Sequence, residues 1–311
     1  MDTKYDVLVV GDINPDIMMI DYDRLPNPGE ETHSKDAHIA LGGGCAICAS
    51  GLAKLGMSVA VYGFLGSDMF GEMMVRKLEK TGVHTEHITI RNDINTGFSV
   101  ALTNSEDRAF ITYNGTNELF DVKDVPDEVI KSAGHVHALC YTPDKHGDYV
   151  EFFKRVKELG RTVSFDIGYD DTEQWSDKIM EIVELVDIFM PNEKEATNYT
   201  RKDTADAALK ALATSGNTVI VKKGKDGSIA YRDGLFAEAG PFVTTCVDTT
   251  GAGDSFNAGF ILGWLRGFDL GKCLIIGNAV GSKSVEQYGG SSGVPSYEEL
   301  KAFLNKENIS I

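Results

Sequence analysis

The stretch VDTTGAGDSFNAGFILGWL, residues 247–265, decides how the rest of the chain is read. From Ala252 onward, Ala252, Phe256, Gly259, Phe260, Gly263 and Trp264 recur at helical spacing. Thr249, Thr250 and Gly251 therefore form the loop that enters a helix. Gly251, Ala252 and Gly253 stand at its N-terminus, where unpaired backbone N–H groups and the helix dipole favour an anion. Glycine at 251 and 253 lets a phosphate come close to the backbone. Asp254 lies in the same first turn, placed to take a proton from a nucleophile that attacks the bound group. The same string also reads as an ordinary N-cap with an acidic first turn, and taken alone it leaves both readings open.

Two absences narrow the field. No G-x-x-x-x-G-K-[ST] loop occurs, which argues against a P-loop enzyme. A Rossmann dinucleotide fingerprint is also missing: Phe256 occupies the third glycine position after Gly251 and Gly253, and Ile13 follows Gly11 and Asp12.

Outward from this stretch, short β-rich runs alternate with helical patterns. DVLVVGD at 6–12 reads as the first strand, residues 46–55 as a helix stopped by Gly56, and SVAVYGFLG at 58–66 as the next strand. Further strands are expected at 135–140, 162–166, 186–190 and 217–222, between helices at 148–159, 174–185 and 203–214. The pattern predicts an α/β fold: a doubly wound, mostly parallel sheet with helices on both faces. Two segments, about 13–40 and 86–118, break the rhythm. Within them GFSVALTN at 97–104 and RAFITYNG at 108–115 predict a hairpin, so a small β lid is expected over the carboxyl ends of the strands. No repeat or Pro-rich linker divides the chain, and residues 1–311 are read as a single domain.

Composition sets the outer limits. The 311 residues carry 30 Lys plus Arg against 47 Asp plus Glu, a net charge of −17, which repels phosphate backbones and anionic lipid. No nucleic-acid or membrane partner is expected. The opening MDTKYDVLVVGDI lacks the basic flank and long apolar region of a signal peptide, so a cytoplasmic location is expected. The cysteines at 45, 48, 140, 246 and 273 read as buried small hydrophobes. Cys45 and Cys48 are spaced Cys-x-x-Cys, but no second pair follows to make a zinc site. His84 with His87 and His135 with His137 likewise complete no metal set.

DTTGAGDSF at 248–256, LGGGCAICASGLAKLG at 41–56, GDINPD at 11–16 and PNEKEA at 191–196 occur in an order that resembles the ribokinase-like, or PfkB, carbohydrate kinase family over essentially the whole chain. The resemblance implies an ATP-dependent kinase that phosphorylates a hydroxyl of a sugar, polyol or nucleoside. It implies Asp254 as general base and Gly251, Ala252 and Gly253 as the anion hole for the transferring phosphoryl group. It places Asn14, Asp16, Gly42 and Gly43 against the acceptor, with Asp166, at a strand end, also available to hold its hydroxyls; Arg108, at the tip of the expected hairpin, is the candidate for reaching the acceptor from the lid. Asn192 and Glu195 would organise magnesium through its water shell, and read alone they also start a helix. Lys222, Gly224 and Gly227 match the nucleotide-side loop, and Asn278 is a candidate for the adenine end. Asp248 and Thr250, with VEQYGGSSGVP at 285–295, resemble a monovalent-cation loop, for which K+ is the expected ion. A homodimer through the β lid is the expected assembly.

The departures bear on the acceptor. Ile47 stands where the glycine signature usually carries Asn, Tyr141 where ribokinases proper place Glu, and Gly168 and Asp170 where sugar-acid kinases carry Asn and Arg. A carboxylate at 170 in place of Arg would disfavour an acidic acceptor, so a neutral sugar or polyol is expected, with a nucleoside as the alternative. A sugar- or nucleotide-sensing protein on the same scaffold is the non-enzymatic alternative; the intact base in the Thr-Gly-Ala-Gly-Asp run speaks against it.

Overall fold

In the computed structural model, which describes residues 3–103, 108–168, 170, 172–213 and 216–311 and only the backbone at Arg108, Val7, Leu8, Val9 and Val10 are fully buried. A strand with no polar face must be covered on both sides. That strand, β1 (Tyr5–Val10), lies inside a nine-stranded sheet. The remaining strands in chain order are β2 (Asn14–Tyr22), β3 (Ser34–Gly42), β4 (Val59–Gly66), β5 (His84–Arg91), β6 (Phe98–Thr103), β7 (Arg108–Tyr113), β8 (Ala133–Ala138), β9 (Thr162–Phe165), β10 (Ile188–Phe189), β11 (Thr218–Lys222), β12 (Ser228–Arg232) and β13 (Leu235–Ala239). The helices are α1 (Gly44–Lys54), α2 (Met69–Lys80), α3 (Asp127–Lys131), α4 (His146–Glu158), α5 (Ile179–Val183), α6 (Glu193–Thr200), α7 (Ala205–Leu212), α8 (Ala252–Leu265), α9 (Leu270–Ser284) and α10 (Tyr297–Lys306).

The large sheet runs β13-β12-β11-β10-β9-β8-β1-β4-β5, parallel from β11 to β5 and antiparallel at β12 and β13. One face packs against α3 to α7 through residues such as Phe152, Phe153 and Val156. The other packs against α1, α2 and α8 to α10, with Phe256, Phe260 and Ile276 in its core. The doubly wound expectation is met. A second sheet, β3-β2-β6-β7, pairs β2 antiparallel with β3, β6 antiparallel with β7, and β2 parallel with β6. This is the small β lid, and β6 with β7 is the expected hairpin.

Two boundaries and one expectation of burial differ from the sequence reading. Residues 84–91 form β5, an edge strand of the large sheet paired with β4, so the second lid segment begins near 98 rather than 86. The helix expected at 174–185 shrinks to α5, because Glu173 and Trp175 adopt left-handed φ values of 52° and 48° and break the first turns. Among the cysteines, Cys45, Cys48 and Cys273 are buried, Cys140 is half-buried and Cys246 is exposed.

Candidate functional site

The chain leaves β1 toward β4 and β5 on one side and returns through β8 to β11 on the other, so the strand order reverses between β1 and β8. In such sheets the crevice outside the carboxyl ends of the strands at that reversal holds ligands. Asp12, just past β1, accepts the backbone N–H groups of Gly44 (3.2 Å) and Cys45 (3.4 Å) and the thiol of Cys140 (2.7 Å). A carboxylate at the N-terminus of α1 is favourably placed in the helix dipole. It fixes the start of α1 against both strand ends.

Asn14 and Asp16 follow, with Asn14 Nδ2 donating to Asp16 Oδ1 at 3.3 Å. A side chain at Gly42 would run into the Asp16 carboxylate, and a Cβ at Gly43 would lie 2.9 Å from Asn14 Oδ1. Gly43 also has φ 79°, which L side chains rarely adopt. A Cβ at Gly44 would sit 3.1 Å from Asp254 Oδ1. Asn14, Asp16, Gly42 and Gly43 therefore converge beside Asp254, as the sequence reading expected. That reading missed Asn117, whose Oδ1 accepts from Ile13 N (3.3 Å) and whose Nδ2 donates to Asn14 Oδ1 (3.4 Å). Nothing local marks it, since its partners lie more than a hundred residues earlier in the chain.

Gly251 enters α8 with φ 66°; a Cβ there would meet Gly290 Cα at 2.7 Å and Ile47 at 2.9 Å. Ile47 thus packs beneath the helix entrance. Gly253 is exposed, and among the described residues a Cβ there would have only Lys222 Nζ, 3.5 Å away, within reach. The open helix N-terminus is therefore flanked by an ammonium group, a combination suited to phosphate. Lys222 pairs with Asp166 and lies 3.3 Å from Asn257 Oδ1, while Asn257 Nδ2 donates to Asp166. This corrects the placement of Asp166. It immediately follows β9, next to β10 and β11, and stands with Lys222 and Asn257 rather than with Asn14 and Asp16.

Burial, followed by the negative charge of Asp166 and then of Asp12 and Asp16, pushes Asp254 up from 3.8 to about 7, against the opposing pull of Lys222. A carboxylate poised near neutrality accepts a proton efficiently. At Asp166 burial works upward, but the charge and hydrogen bond of Lys222 outweigh it and hold the carboxyl below its ordinary value. Lys222 itself is held above its ordinary value, because Asp166 and Glu195 overcome the effect of burial.

Residues 4–296 match the family described as pfkB family carbohydrate kinase. The chain belongs to that family. It is 30% identical to a 5-dehydro-2-deoxygluconokinase of Clostridium perfringens over 98% of this chain and 94% of that protein. It is 31% identical to a nucleoside kinase of Methanothermobacter thermautotrophicus over 97% of each. Arabidopsis thaliana ribokinase, solved with ribose and ATP, superposes with a TM-score of 0.84 at 28% identity, covering 96% of this chain and 98% of that one. A candidate ribokinase II from E. coli, solved with ATP and Mg2+, gives 0.84 at 25% identity, covering 97% and 99%. Membership makes the protein an ATP-dependent phosphotransferase with a hydroxyl acceptor. No helix among the described residues is long and apolar enough to cross a membrane.

The remaining residues that the family resemblance singled out are held as follows. Asn192 and Glu195 close a capping box on α6: Asn192 Oδ1 accepts from Glu195 N and Glu195 Oε2 from Asn192 N, both at 2.9 Å. Burial, then the Asp166 charge, raises Glu195 well above the usual carboxylate range. Gly224 and Gly227 shape the turn between β11 and β12, where both adopt positive φ. Asn278 is buried and committed: its amide donates to the carbonyls of Ala239 (2.9 Å) and Gly240 (3.0 Å) and accepts from Ser228 Oγ (3.1 Å). It ties α9 to β12 and β13, which corrects its reading as a group free to meet adenine.

Asp248 Oδ1 accepts from Thr250 N (3.0 Å) and Oγ1 (2.7 Å), and Oδ2 from Gly289 N (2.9 Å), joining the two loops expected to hold a cation. Asp170 is buried. Its carboxylate accepts from Thr172 N, Thr172 Oγ1 and Trp175 N at 3.0, 2.6 and 3.0 Å, so it is engaged by its own loop rather than held free for an acceptor as the sequence reading expected.

Among the described residues no group of three or more His, Cys, Asp or Glu side chains could hold a metal by itself. The donor set fits magnesium that arrives with a nucleotide, since this ion keeps several waters and takes its other oxygens from phosphates. Asp166 and Glu195, beside the open N-terminus of α8, are the carboxylates such a hydrated ion would meet.

Proposed function

We propose that the chain transfers the γ-phosphoryl group of ATP to a hydroxyl of a neutral sugar or polyol, with residues 1–311 acting as one kinase domain in the cytoplasm. One observation carries this reading: Asp254 stands between the glycine cluster that opens α1 and the bare N-terminus of α8, with Lys222 alongside. Asn14 and Asp16 orient acceptor hydroxyls, while Gly42 and Gly43 leave room for the ring. Asp254 takes the hydroxyl proton as the oxygen attacks phosphorus and the bond to the β-phosphate oxygen of ADP breaks. The N–H groups at Gly251 and Gly253, and that of Ala252 once it leaves the Thr249 carbonyl it bonds at 3.3 Å, meet the charge that develops on the transferred group, and Lys222 adds a positive charge at its flank. Magnesium, held by the phosphates and waters near Asp166 and Glu195, neutralises phosphate charge when bound. Gly224 and Gly227 shape the nucleotide-side loop.

The preference for a neutral acceptor rests on Asp16 and Asp254, which line the acceptor side with negative charge. The β lid closes over the acceptor and excludes water; Arg108 opens β7 opposite Thr103, and its side chain lies outside the described residues. Phe110 and Ile111 are 48% and 65% exposed on β7 and offer an apolar surface for a homodimer through the lid. Asp248 and Thr250, joined to Gly289, are the proposed seat of K+. A nucleoside acceptor is the second reading, supported by the 31% identical nucleoside kinase. An ATP-consumption screen over matched sugars, polyols, nucleosides and sugar acids, with magnesium and with or without K+, tests the assignment. A higher kcat/KM for a sugar acid than for its neutral partner overturns the neutral acceptor, and no turnover with any hydroxyl compound overturns the kinase reading.

A further inference from the structure

A cavity of about 700 Å³ lies between the end of α1, the end of α2, strand β3 and the loop after α9. Lys54, on its wall, ends the eleven-residue α1, about 15 Å along the helix from Gly44. Lys77 and Lys80, from the last turn of α2, line the same cavity. None of these three lysines forms a salt bridge among the described residues. Lys77 donates to the carbonyl of Ile39 (3.1 Å), and Lys54 to the carbonyls of Ser291 (2.7 Å), Ser292 (3.0 Å) and Val294 (3.3 Å). The carboxylate on the wall, Glu286, is already engaged with Lys283 (2.9 Å) and Thr244 (2.7 Å). In a chain with 47 acidic against 30 basic side chains, three lysines without a salt bridge among the described residues stand around one cavity, and although the charge of Glu299 is felt at Lys54, the wall carries more positive than negative charge. Tyr288, packed on His38 with ring centroids 5.4 Å apart, gives the wall an aromatic surface.

We propose that this cavity is an effector site for a small phosphorylated metabolite carrying two or more negative charges. Its volume falls within the range of small-molecule sites, and lysines act as point-charge partners for phosphate. Lys54 is the link to the phosphoryl-transfer site. The loop whose carbonyls it holds also contains Gly290, whose carbonyl accepts from Ser255 Oγ (2.9 Å) and whose Cα packs against Gly251. A bound dianion competes with those carbonyls for the Lys54 ammonium and frees the strap behind the anion hole. Turnover then falls while the KM for ATP stays near its starting value. Nothing in this argument uses the identity of the acceptor.

The test is calorimetric titration of the full chain with a hexose bisphosphate and, separately, with inorganic phosphate, on the unaltered protein and on a Lys77→Gln/Lys80→Gln variant. Matched thermal unfolding of the two proteins verifies that the variant folds. The proposal expects the bisphosphate to bind the unaltered protein at least tenfold more tightly than the variant. It also expects faster hydrogen exchange at 289–294 on binding and a kcat at least halved in the unaltered protein only. Equal effects from inorganic phosphate would assign the site to the free ion and keep the shared chemistry. Equal affinity in both proteins, or binding that leaves exchange at 289–294 and kcat unchanged, overturns the proposal. The binding and exchange measurements need no turnover, so they are decided separately from the kinase reading.

Discussion

Replacing Asp254 by Asn should sharply slow turnover and at the same time make the protein more stable from mildly acidic pH upward. The folded carboxyl titrates near 7 against 3.8 for the ordinary side chain, so the folded state holds a proton that the unfolded chain has released. A group raised in this way contributes stability that is complete below pH 3.8 and is lost as pH rises toward 7. Between pH 5 and pH 7 the loss accumulates at about 1.4 kcal/mol per unit, or about 3 kcal/mol at most. Asp254 is partly open to water in the crevice, which lowers the expected figure to about 1–2 kcal/mol. At roughly 2–4 °C per kcal/mol, the amide variant should gain about 2–8 °C in Tm relative to the unaltered protein between pH 5 and pH 8. Titrating groups that do not feel the Asp254 charge cancel in that difference, whereas Glu195 and Lys222, which do, contribute to it. The same substitution removes the proton acceptor and should lower kcat by roughly 10²–10⁴. Paired thermal melts at the two pH values and steady-state kinetics provide the assay. A variant whose Tm tracks that of the unaltered protein at both pH values would refute the electrostatic account, and one that keeps more than about a tenth of kcat would remove Asp254 as the base.

The acid limb of kcat/KM should fall near pH 7, and Asp166→Asn should move it to lower pH by removing the largest like charge beside Asp254; an unmoved limb counts against that coupling. Gly253→Val should lower kcat by roughly 10²–10³ with little change in Tm, because the new side chain occupies open space over the helix N–H groups; equal damage to Tm and kcat would favour a plain helix cap. Burial lowers His135 to about 3 and His137 to about 4, so the unfolded chain takes up protons first and stability falls as pH drops below about 6.5. His137→Gln should flatten the slope of Tm between pH 6.5 and 4.5, and an unaltered slope would show that the acid limb of stability lies elsewhere. Hydrogen exchange at 98–103 and 108–113 should slow when acceptor binds, and unchanged protection would exclude lid closure.

The end of the site proposed to meet phosphate is legible because it is local. Gly251, Ala252, Gly253 and Asp254 are consecutive, and the helical period that begins at Ala252 is enough to place all four at a helix N-terminus. Gly42 and Gly43 are legible for the same reason, since they immediately precede a helix whose apolar spacing is unambiguous. Asp170 shows where local reading fails: its position in a motif suggested a side chain in the crevice, but three donors from Thr172 and Trp175 turn it into its own loop.

Sequence alone determined the α/β class and the helix that begins at Ala252 with Asp254 in its first turn, because each follows from periodicity and composition within a few turns of chain; the base and anion-hole roles proposed there came from the order of the four motifs. Only the tertiary structure decided which charges meet. Asp166, Lys222 and Asn257 are separated by 56 and 91 residues along the chain and come together because β9, β10 and β11 are neighbours with their carboxyl ends aligned beneath α8. Asn117 reaches Asn14, and Lys54 reaches the loop behind Gly251, for the same reason. Strand order and helix packing set these distances, and no spacing in the linear chain encodes them.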